Sequence, residues 1–264
     1  MSNVTIVIPC YNEESRIPTK EYRRYLSNNS TNILFVNDGS KDLTLLILKE
    51  LQVAFPSQVH ILNMSRNRGK AEAVRRGILE IEHDDHNGII GFMDADLSTP
   101  FEEITYFLDA FSDNRVQFVF GSRISRIGAR IDRFAHRHYF GRTMATLIST
   151  YLRIPIYDSQ CGAKFFHASF ARQLFMDPFV SRWLFDVEIF KRIRLLDINV
   201  EDCALELPLH TWIEKGGSKI RLKDYLKLPF DFLRIVYHYM NKKSFVTEYV
   251  MYKEIKELQN KAIV

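Results

Sequence analysis

Short apolar runs alternate with amphipathic stretches along the first half of the chain. Five runs rich in β-branched or aromatic residues have the length and continuous hydrophobicity of buried strands. They are Val4–Pro9, Ile33–Asn37, Val59–Asn63, Gly88–Met93 and Val116–Gly121. The stretches between them predict helices near Pro18–Ser27, Asp42–Ala54, Lys70–Glu82 and Pro100–Phe111. This alternation predicts βαβ units, and therefore an α/β fold with a mostly parallel sheet flanked by helices.

The alternation stops after Gly121. Ile131–Leu152 is predicted to be one long helix, because the apolar residues from Phe140 to Tyr151 fall on one face. If helix also covers the residues before it, four arginines form a second stripe: Arg126, Arg130, Arg133 and Arg137. Further along, the pattern predicts a loop around Asp158 and Gly162, helices at Phe185–Leu195, Tyr225–Met240 and Ser244–Gln259, and a strand near Val200–Leu207.

Composition is that of a globular protein rather than a collagen-like or disordered chain. Of 264 residues, 46% are hydrophobic and 26% charged. Apolar runs stay below the roughly 18 residues that a membrane-spanning helix needs, and the start lacks the pattern of a signal peptide. The three cysteines are far apart, which predicts neither a disulfide framework nor a zinc site and favours a reducing, cytoplasmic setting.

Positive charge is concentrated in two stretches. Arg123–Arg153 contains seven arginines and one acidic residue, and Lys215–Lys227 contains five basic residues and one acidic residue. Such patches predict an anionic partner, the alternative being a solvated basic face. Nucleic acid is not expected, because aromatic residues are not interleaved with the arginines as a stacking surface requires.

Acidic residues follow three of the predicted strands. The first strand ends near Glu13, the second at Asn37-Asp38-Gly39, and the fourth at Asp94-Ala95-Asp96. Ligands of parallel sheets bind at the carboxyl ends of strands. An Asp-x-Asp pair there suits a hard divalent ion that leaves positions open for phosphate oxygens, although such a pair alone is also typical of a capped turn. Asp38 likewise fits either a turn with a helix cap or a group that reads a nucleobase.

Five segments, in order, resemble glycosyltransferase family 2 with the GT-A fold: VIPCYNEE, VNDGSKD, NRGKAEAVRRG, MDADLSTP and GSR. In the second half, DSQCGAKFF, RWLFDVE and WIEKGGSK resemble the dolichyl-phosphate glucosyltransferase branch and its bacterial relatives. The resemblance runs from about residue 2 to residue 240. It implies one GT-A domain over 1–240, with a nucleotide-sugar-binding half at 1–121, an acceptor-binding half with helices at 122–240, and a helical extension at 241–264.

The resemblance also implies roles for individual residues. The nucleotide would be held by Pro9, Tyr11, Glu13, Asp38, Lys70 and Asp94. Asp96, with Asp94, would hold Mg²⁺ or Mn²⁺ against the diphosphate. Ser98 stands where the mannosyl branch has Gln as a further metal ligand, which favours the glucosyl-like branch. Arg123 would contact phosphate.

An attacking phosphate is already anionic and needs cations rather than a strong base. Arginine suits this task, and the candidates are Arg123, Arg130, Arg133 and Arg137. Asp158, Asp186 and Glu188 would organise the acceptor loop; for a hydroxyl acceptor, Asp186 or Asp158 would be the base. The basic stretch Arg126–Leu152 fits either an amphipathic helix on an anionic membrane surface or a core-facing helix with a wet basic side.

These observations predict a metal-dependent inverting transferase that moves a hexose, glucose above all, from UDP-glucose or a related nucleotide sugar to a polyprenyl or dolichyl phosphate. Two alternatives stay open. One is the same chemistry onto a glycan or other hydroxyl acceptor. The other is a non-catalytic protein that binds nucleotide sugars.

Overall fold

A computed structural model describes residues 3–81, 88–132, 135–216, 227–240 and residue 242, with the backbone alone for residues 135–140. The strands are β1 Val4–Cys10, β2 Asn32–Asp38, β3 Val59–Met64, β4 Ile89–Phe92, β5 Phe118–Ser122, β6 Arg130–Asp132, β7 Lys164–His167, β8 Ala204–Pro208 and β9 Thr211–Ile213. The helices are α1 Thr19–Asn28, α2 Thr44–Ala54, α3 Lys70–Glu80, α4 Glu103–Asp109, α5 Ala135–Leu152, α6 Ala168–Phe175, α7 Phe185–Leu195, α8 Val200–Cys203 and α9 Leu228–Met240.

A seven-stranded sheet with the order β3-β2-β1-β4-β7-β5-β8 forms the centre of the protein. Its neighbouring strands are parallel, except that β7 runs antiparallel to both β4 and β5. The carboxyl ends of β1, β2, β4 and β5 therefore meet the beginning of β7 at one edge of the sheet. The predicted α/β fold with a mostly parallel sheet is confirmed.

Helices cover both faces of this sheet, so the protein has three layers. On β1, Val7 faces α3, while Ile6 and Ile8 face the layer that contains α1 and α2. This is the alternation that a strand buried on both faces must have. Helix α3 approaches the sheet closely at Gly77, where a Cβ atom would lie 2.5 Å from a methyl group of Val7.

Most of the predicted elements in the first half are present within a few residues of the expected bounds, and helix Phe185–Leu195 is confirmed as predicted. The predicted Pro100–Phe111 helix begins later, at Glu103, and ends in a 3-10 turn at Ala110–Ser112. The predicted strand near Val200 is wrong in its first part, because Val200–Cys203 is a helical turn and the strand starts at Ala204.

The long helix predicted from Ile131 is also wrong at its start. Residues Arg130–Asp132 form β6, which pairs in parallel with β9, and the helix begins at Ala135. Arg126 and Arg130 therefore lie outside any helix, and the predicted arginine stripe does not exist. Arg133 lies outside the described residues, as does the side chain of Arg137.

The sequence patterns did not predict β7 or α6, which occupy the stretch interpreted as a loop and its continuation. Helix α9 confirms the described part of the predicted Tyr225–Met240 helix. The predicted Ser244–Gln259 helix lies outside the described residues, and so does the extension over 241–264 apart from Lys242. Among the described residues, no helix has the length and apolarity to cross a membrane.

Candidate active site

Charged side chains gather at the edge where β1, β2 and β4 end and β7 begins. Parallel strands deliver their terminal residues to the same edge, so residues distant in sequence become neighbours there. Lys70 at the first position of α3, Asp94 after β4 and Arg123 after β5 lie in this region. The sequence predicted this convergence for the acidic residues, and the structure places cations beside them.

Asp94 forms an ion pair with Lys70, with 2.5 Å between Oδ1 and Nζ. Burial works to raise the pKa of Asp94, but the charges of Lys70, Arg123 and Lys164 outweigh it and lower the pKa below its ordinary value. The carboxylate is therefore ionised at neutral pH. Gly162 lies directly against it, and a Cβ atom at that position would overlap Asp94 Oδ2. The absence of a side chain at residue 162 thus leaves space for this carboxylate.

Asp96 is held by two neighbours. Its Oδ1 accepts hydrogen bonds from the backbone N–H of Ser98 (3.0 Å) and from the Ser98 hydroxyl (2.8 Å). Its Oδ2 accepts a short hydrogen bond from Arg16 Nη2, and Arg16 Nη1 also donates to Glu13 Oε2 at 3.2 Å. Arg16 therefore links the loop after β1 to the loop after β4. Sequence reasoning missed Arg16.

Asp38 fastens the loop that precedes α3. Its two carboxylate oxygens accept hydrogen bonds from the backbone N–H groups of Arg68 (2.7 Å) and Gly69 (2.8 Å). Burial raises the pKa of Asp38 despite these bonds. At Gly39, where φ is +64°, a Cβ atom would lie 2.5 Å from the Arg66 backbone, so only glycine fits this turn. Asp38 thus positions the loop that carries Lys70, and its predicted contact with the nucleobase stays a prediction.

Arg123 and Asp158 form a bidentate pair. Arg123 Nε lies 2.6 Å from Oδ2 and Nη2 lies 2.8 Å from Oδ1 of the carboxylate, and the Arg123 backbone N–H donates to the same side chain. Burial acts to lower the pKa of Arg123, but the Asp158 charge raises it above its ordinary value. Glu206 on β8 accepts from the backbone N–H of Asp158, which fixes the loop. This geometry presents a rigid, permanently charged guanidinium at the site.

Lys164 at the start of β7 is fully buried and forms an ion pair with Asp186, 2.7 Å from Nζ to Oδ1. Its Nζ also donates to the carbonyl of Cys161 at 2.6 Å. A buried ammonium group requires such partners, because an unpaired buried charge is strongly unfavourable. The sequence analysis gave Lys164 no role. The pair joins α7 to the loop that contains Gly162.

Helix α7 also holds the loop over the site. Glu188 accepts hydrogen bonds from the backbone N–H groups of Val180 (3.0 Å) and Ser181 (2.8 Å). Tyr239 on α9 donates to the same carboxylate at 2.9 Å. Beyond this anchor, the Arg182 side chain packs against Gly69, where a Cβ atom would lie 3.2 Å from it. Glu188 thus anchors the backbone at residues 180 and 181, and its predicted role in organising an acceptor loop stays a prediction.

The structure pairs Lys70 with Asp94 and Arg123 with Asp158. Burial works to lower the pKa of Lys70, but the charges of Asp94 and Asp186 both raise it above its ordinary value. Asp96 lies two residues after Asp94 on the same turn and is held by Arg16 and Ser98. Pro9, Tyr11 and Glu13 lie at the end of β1 and just after it. Of the other predicted acceptor arginines, Arg130 pairs with Asp132 on the exposed strand β6. Arg133 lies outside the described residues, and of Arg137 only the backbone is described. His210 is held by Glu103 at 3.2 Å.

Asp94 and Asp96 could hold a divalent cation. Both supply carboxylate oxygens from one turn, and Gly162 leaves the space that the Asp94 carboxylate occupies. Within the described part of the chain no cluster of three or more His, Cys, Asp or Glu side chains forms a complete metal site. These described residues therefore supply a partial set of ligands. Mg²⁺ is commonly bound in this way, through one or two carboxylates plus substrate phosphates and waters. The residues fit such an ion.

Comparison with known proteins adds a family and relatives. Residues 5–175 match the profile of Glycosyl transferase family 2. A dolichyl-phosphate beta-glucosyltransferase of Trichomonas vaginalis is 32% identical over 250 residues, which cover 89% of this chain and 73% of that protein. The enzymes of the same name from Saccharomyces cerevisiae and Homo sapiens are 31% and 29% identical, with 90% of this chain covered and 75% and 76% of theirs.

Among solved structures, glucosyl-3-phosphoglycerate synthase from Mycobacterium tuberculosis, crystallised with Mn²⁺, UDP-glucose and phosphoglyceric acid, superposes with a TM-score of 0.64. The sequences are 16% identical, and the match covers 89% of this chain and 79% of that chain. At this identity the likeness concerns the fold.

Proposed function

The chain belongs to glycosyl transferase family 2, and on this basis we propose that it transfers glucose from UDP-glucose to a dolichyl or other polyprenyl phosphate. It is a glycosyltransferase with the GT-A fold that its sequence segments predicted. Its relatives are named as beta-glucosyltransferases that act on dolichyl phosphate. Because UDP-glucose carries an α-linked sugar, a β-linked product corresponds to inversion in a single displacement.

The observation that carries the choice of acceptor is the pairing of the candidate bases. A hydroxyl acceptor needs a carboxylate that can take its proton. Asp158 is held by the Arg123 guanidinium and backbone N–H, and Asp186 is paired with the buried Lys164. Each carboxylate is already engaged by a cation of the protein, so neither is positioned to take a proton from a hydroxyl group. A phosphate acceptor is already anionic and requires no base, so this arrangement favours phosphate over hydroxyl.

The donor side follows from the cluster at the sheet edge. Lys70 would bring positive charge to the diphosphate, and Asp94 and Asp96 would hold Mg²⁺ or Mn²⁺ there. Such a metal ion neutralises the charge that develops on the departing diphosphate. Support comes from the solved relatives of this fold, which were crystallised with Mn²⁺ or Mg²⁺ and UDP. Pro9, Tyr11, Glu13 and Asp38 complete the proposed nucleotide site.

On the acceptor side, Arg123 would orient the attacking phosphate oxygen towards the anomeric carbon. Its guanidinium cannot lose its charge at neutral pH, and Nη1, which does not take part in the bidentate pair with Asp158, can donate to a phosphate oxygen. Fixed orientation of two reactants is itself a large source of rate acceleration. The division of the domain into a donor half at 1–121 and an acceptor half at 122–240 is part of this proposal.

The lipid acceptor requires a membrane surface, and α9 offers a suitable face. Its exposed apolar residues recur at helical spacing: Phe230, Leu233, Tyr237 and Met240, each 61–75% exposed. Ile235 and Tyr239 on the opposite side are buried in the core. Basic residues accompany this face, with Lys227 before it, Arg234 on the helix and Lys242 after it. Apolar anchors flanked by cations suit an anionic bilayer surface, and we place the enzyme at such a surface on the cytoplasmic side.

Transfer to the lipid is tested with UDP-[¹⁴C]glucose, Mn²⁺ and polyprenyl phosphate in detergent. We expect a labelled product that extracts into organic solvent and releases glucose in mild acid, and none when polyprenol replaces the phosphate. Asp96→Ala should abolish this activity, whereas Asp113→Asn, which removes a carboxylate from an exposed ion pair with Arg115, should retain it. Label found only in water-soluble products, or transfer to polyprenol, would contradict the proposed acceptor.

Membrane contact is tested separately by vesicle flotation. The wild-type protein should float with vesicles that contain phosphatidylglycerol and much less with pure phosphatidylcholine. Phe230→Ser/Tyr237→Ser should reduce the bound fraction strongly, while Val53→Ser, which removes a similarly exposed apolar side chain on α2, should not. If the Phe230→Ser/Tyr237→Ser protein bound these vesicles as well as the Val53→Ser protein does, α9 would be excluded as the membrane contact.

A further inference from the structure

Arg16 occupies an unusual position between two carboxylates of the candidate site. It lies in the turn after β1, where its backbone N–H donates to the carbonyl of Glu13 at 2.9 Å. Its guanidinium donates to Glu13 Oε2 and to Asp96 Oδ2, and only 22% of its side chain is exposed. Nη1 and Nη2 make these contacts, whereas the Nε–H donor of the same side chain is buried and has no acceptor among the described residues. A buried donor left in this way points to an acceptor that arrives with a ligand.

The hydrogen bonds of Asp96 show what Arg16 controls. Ser98 contributes both of its donors to Oδ1, so Oδ2 is the oxygen that faces the guanidinium. The carboxylate is nearly buried, with 10% of its side chain exposed. A divalent cation bound through Asp96 would therefore meet the positive charge of Arg16 at the same oxygen. Two cations that close repel each other strongly where water screens them poorly.

We propose that Arg16 is a resident counter-cation of Asp96 that competes with the metal ion, so that metal binding depends on the nucleotide diphosphate. Without donor, Arg16 holds Asp96 and Glu13 in their positions. A diphosphate brings negative charge that compensates the repulsion and offers an acceptor for the Arg16 N–H groups. Arg16 is thus a positioning residue for Asp96. The inference rests on the proposed function, because it takes Asp96 as a metal ligand.

Titration of Mn²⁺, followed by the electron paramagnetic resonance signal of the free ion, tests this without any turnover. The titration is made with and without UDP on the wild-type protein, Arg16→Gln, Arg16→Lys and Arg24→Gln. Arg24 is the matched control, because it also pairs with a carboxylate, that of Glu102, but on the surface. There, 69% of the Arg24 side chain and 65% of the Glu102 side chain are exposed. A neighbouring arginine lowers the proton affinity of an aspartate by about one to three powers of ten, and we expect the affinity for a metal cation to change in the same direction.

Without UDP, we expect Arg16→Gln to bind Mn²⁺ at least about tenfold more tightly than the wild-type protein, at the lower end of that range because the pair is partly solvated. Arg16→Lys keeps the charge and should stay within about threefold of wild type. Arg24→Gln should be unchanged. The gain in Mn²⁺ affinity caused by UDP should be smaller for Arg16→Gln than for the wild-type protein.

Suppose that the wild-type protein binds Mn²⁺ with UDP. If a folded Arg16→Gln protein then binds Mn²⁺ no more tightly than wild type, the inference is overturned and the proposed function stays intact. No Mn²⁺ binding by wild-type protein with UDP would overturn the metal site and the inference together. Circular dichroism checks folding, and Arg16→Met provides a second neutral variant with a similar stem if Arg16→Gln does not fold.

Discussion

Replacement of Lys164 by Met isolates the energetic role of the buried ion pair with Asp186. Met preserves much of the length and volume of the lysine stem but removes the ammonium group. The Lys164 side chain is fully buried and Asp186 is 8% exposed, so neither charge is compensated by water. After the substitution, the Asp186 carboxylate stays in the interior without its cation, and the Cys161 carbonyl loses its donor.

The expected loss in free energy of unfolding is about 3–5 kcal/mol, the usual result of breaking a buried pair from one side. In a chain of this size that corresponds to a decrease in melting temperature of roughly 6–20 °C, at about 2–4 °C for each kcal/mol. Lys70→Met is the matched comparison. The Lys70–Asp94 pair is also short, at 2.5 Å, but 23% of the Lys70 side chain and 40% of the Asp94 side chain are exposed. Removal of the Lys70 ammonium group should therefore lower the free energy of unfolding by only about 1 kcal/mol or less.

Urea unfolding followed by circular dichroism and tryptophan fluorescence measures both variants. The double variant Lys164→Met/Asp186→Leu should recover at least about 2 kcal/mol relative to Lys164→Met, because no unpaired charge is left behind. A Lys164→Met protein within 1 kcal/mol of wild type, or a loss for Lys70→Met as large as for Lys164→Met, would refute the argument from burial.

Three further outcomes are expected. Gly162→Ala should weaken UDP-glucose binding, measured by calorimetry, at least about tenfold, and should change the free energy of unfolding by about 1 kcal/mol or less. The reason is that the new Cβ displaces the movable end of Asp94 rather than backbone. Unaltered binding would show that this carboxylate does not serve the donor. Arg123→Ala should lower kcat far more than it weakens UDP binding, and equal losses in both would assign it another role. Burial raises the pKa of Cys161 and of Cys203 to about 11, so at pH 8 only about one thiol in a thousand is ionised. At pH 8, neither thiol should react with a disulfide reagent until the protein unfolds. The reactivity of both thiols should rise as the pH approaches 11. Fast labelling of the native protein at pH 8 would contradict their burial.

The strands of the first half were predictable because strands buried on both faces need continuous apolar runs. β1 and β2 satisfy this requirement, whereas β3 lies at the edge of the sheet and is only partly buried. The spacing of the three runs left room for one helix between neighbours. β7 escaped prediction because it has four residues and begins with a lysine, which in a sequence usually marks solvent. β6 and β9 are three-residue strands whose pairing with each other no local pattern encodes.

The candidate site was predictable to the extent that it depends on strand ends. Asp94, Asp96 and Asp38 follow apolar runs directly, so their convergence could be derived from the sequence. The partners of these residues could not, because Arg16 and Lys164 reach the site only through tertiary contacts. Arg123 was identified through the GSR segment, which resembles the family, whereas Arg16 lies just outside the VIPCYNEE segment and no quoted segment contains it.

The insertion of β7 between β4 and β5 has a consequence for synthesis on the ribosome. β4 emerges first and pairs with β1 on one side, but its other edge waits until residues 164–167 have been translated. Until then the nascent chain presents an open row of backbone donors and acceptors, the kind of edge that invites pairing with other chains. Translation slowed between residues 93 and 163 should therefore favour aggregation, whereas a chain that has passed His167 can close its sheet.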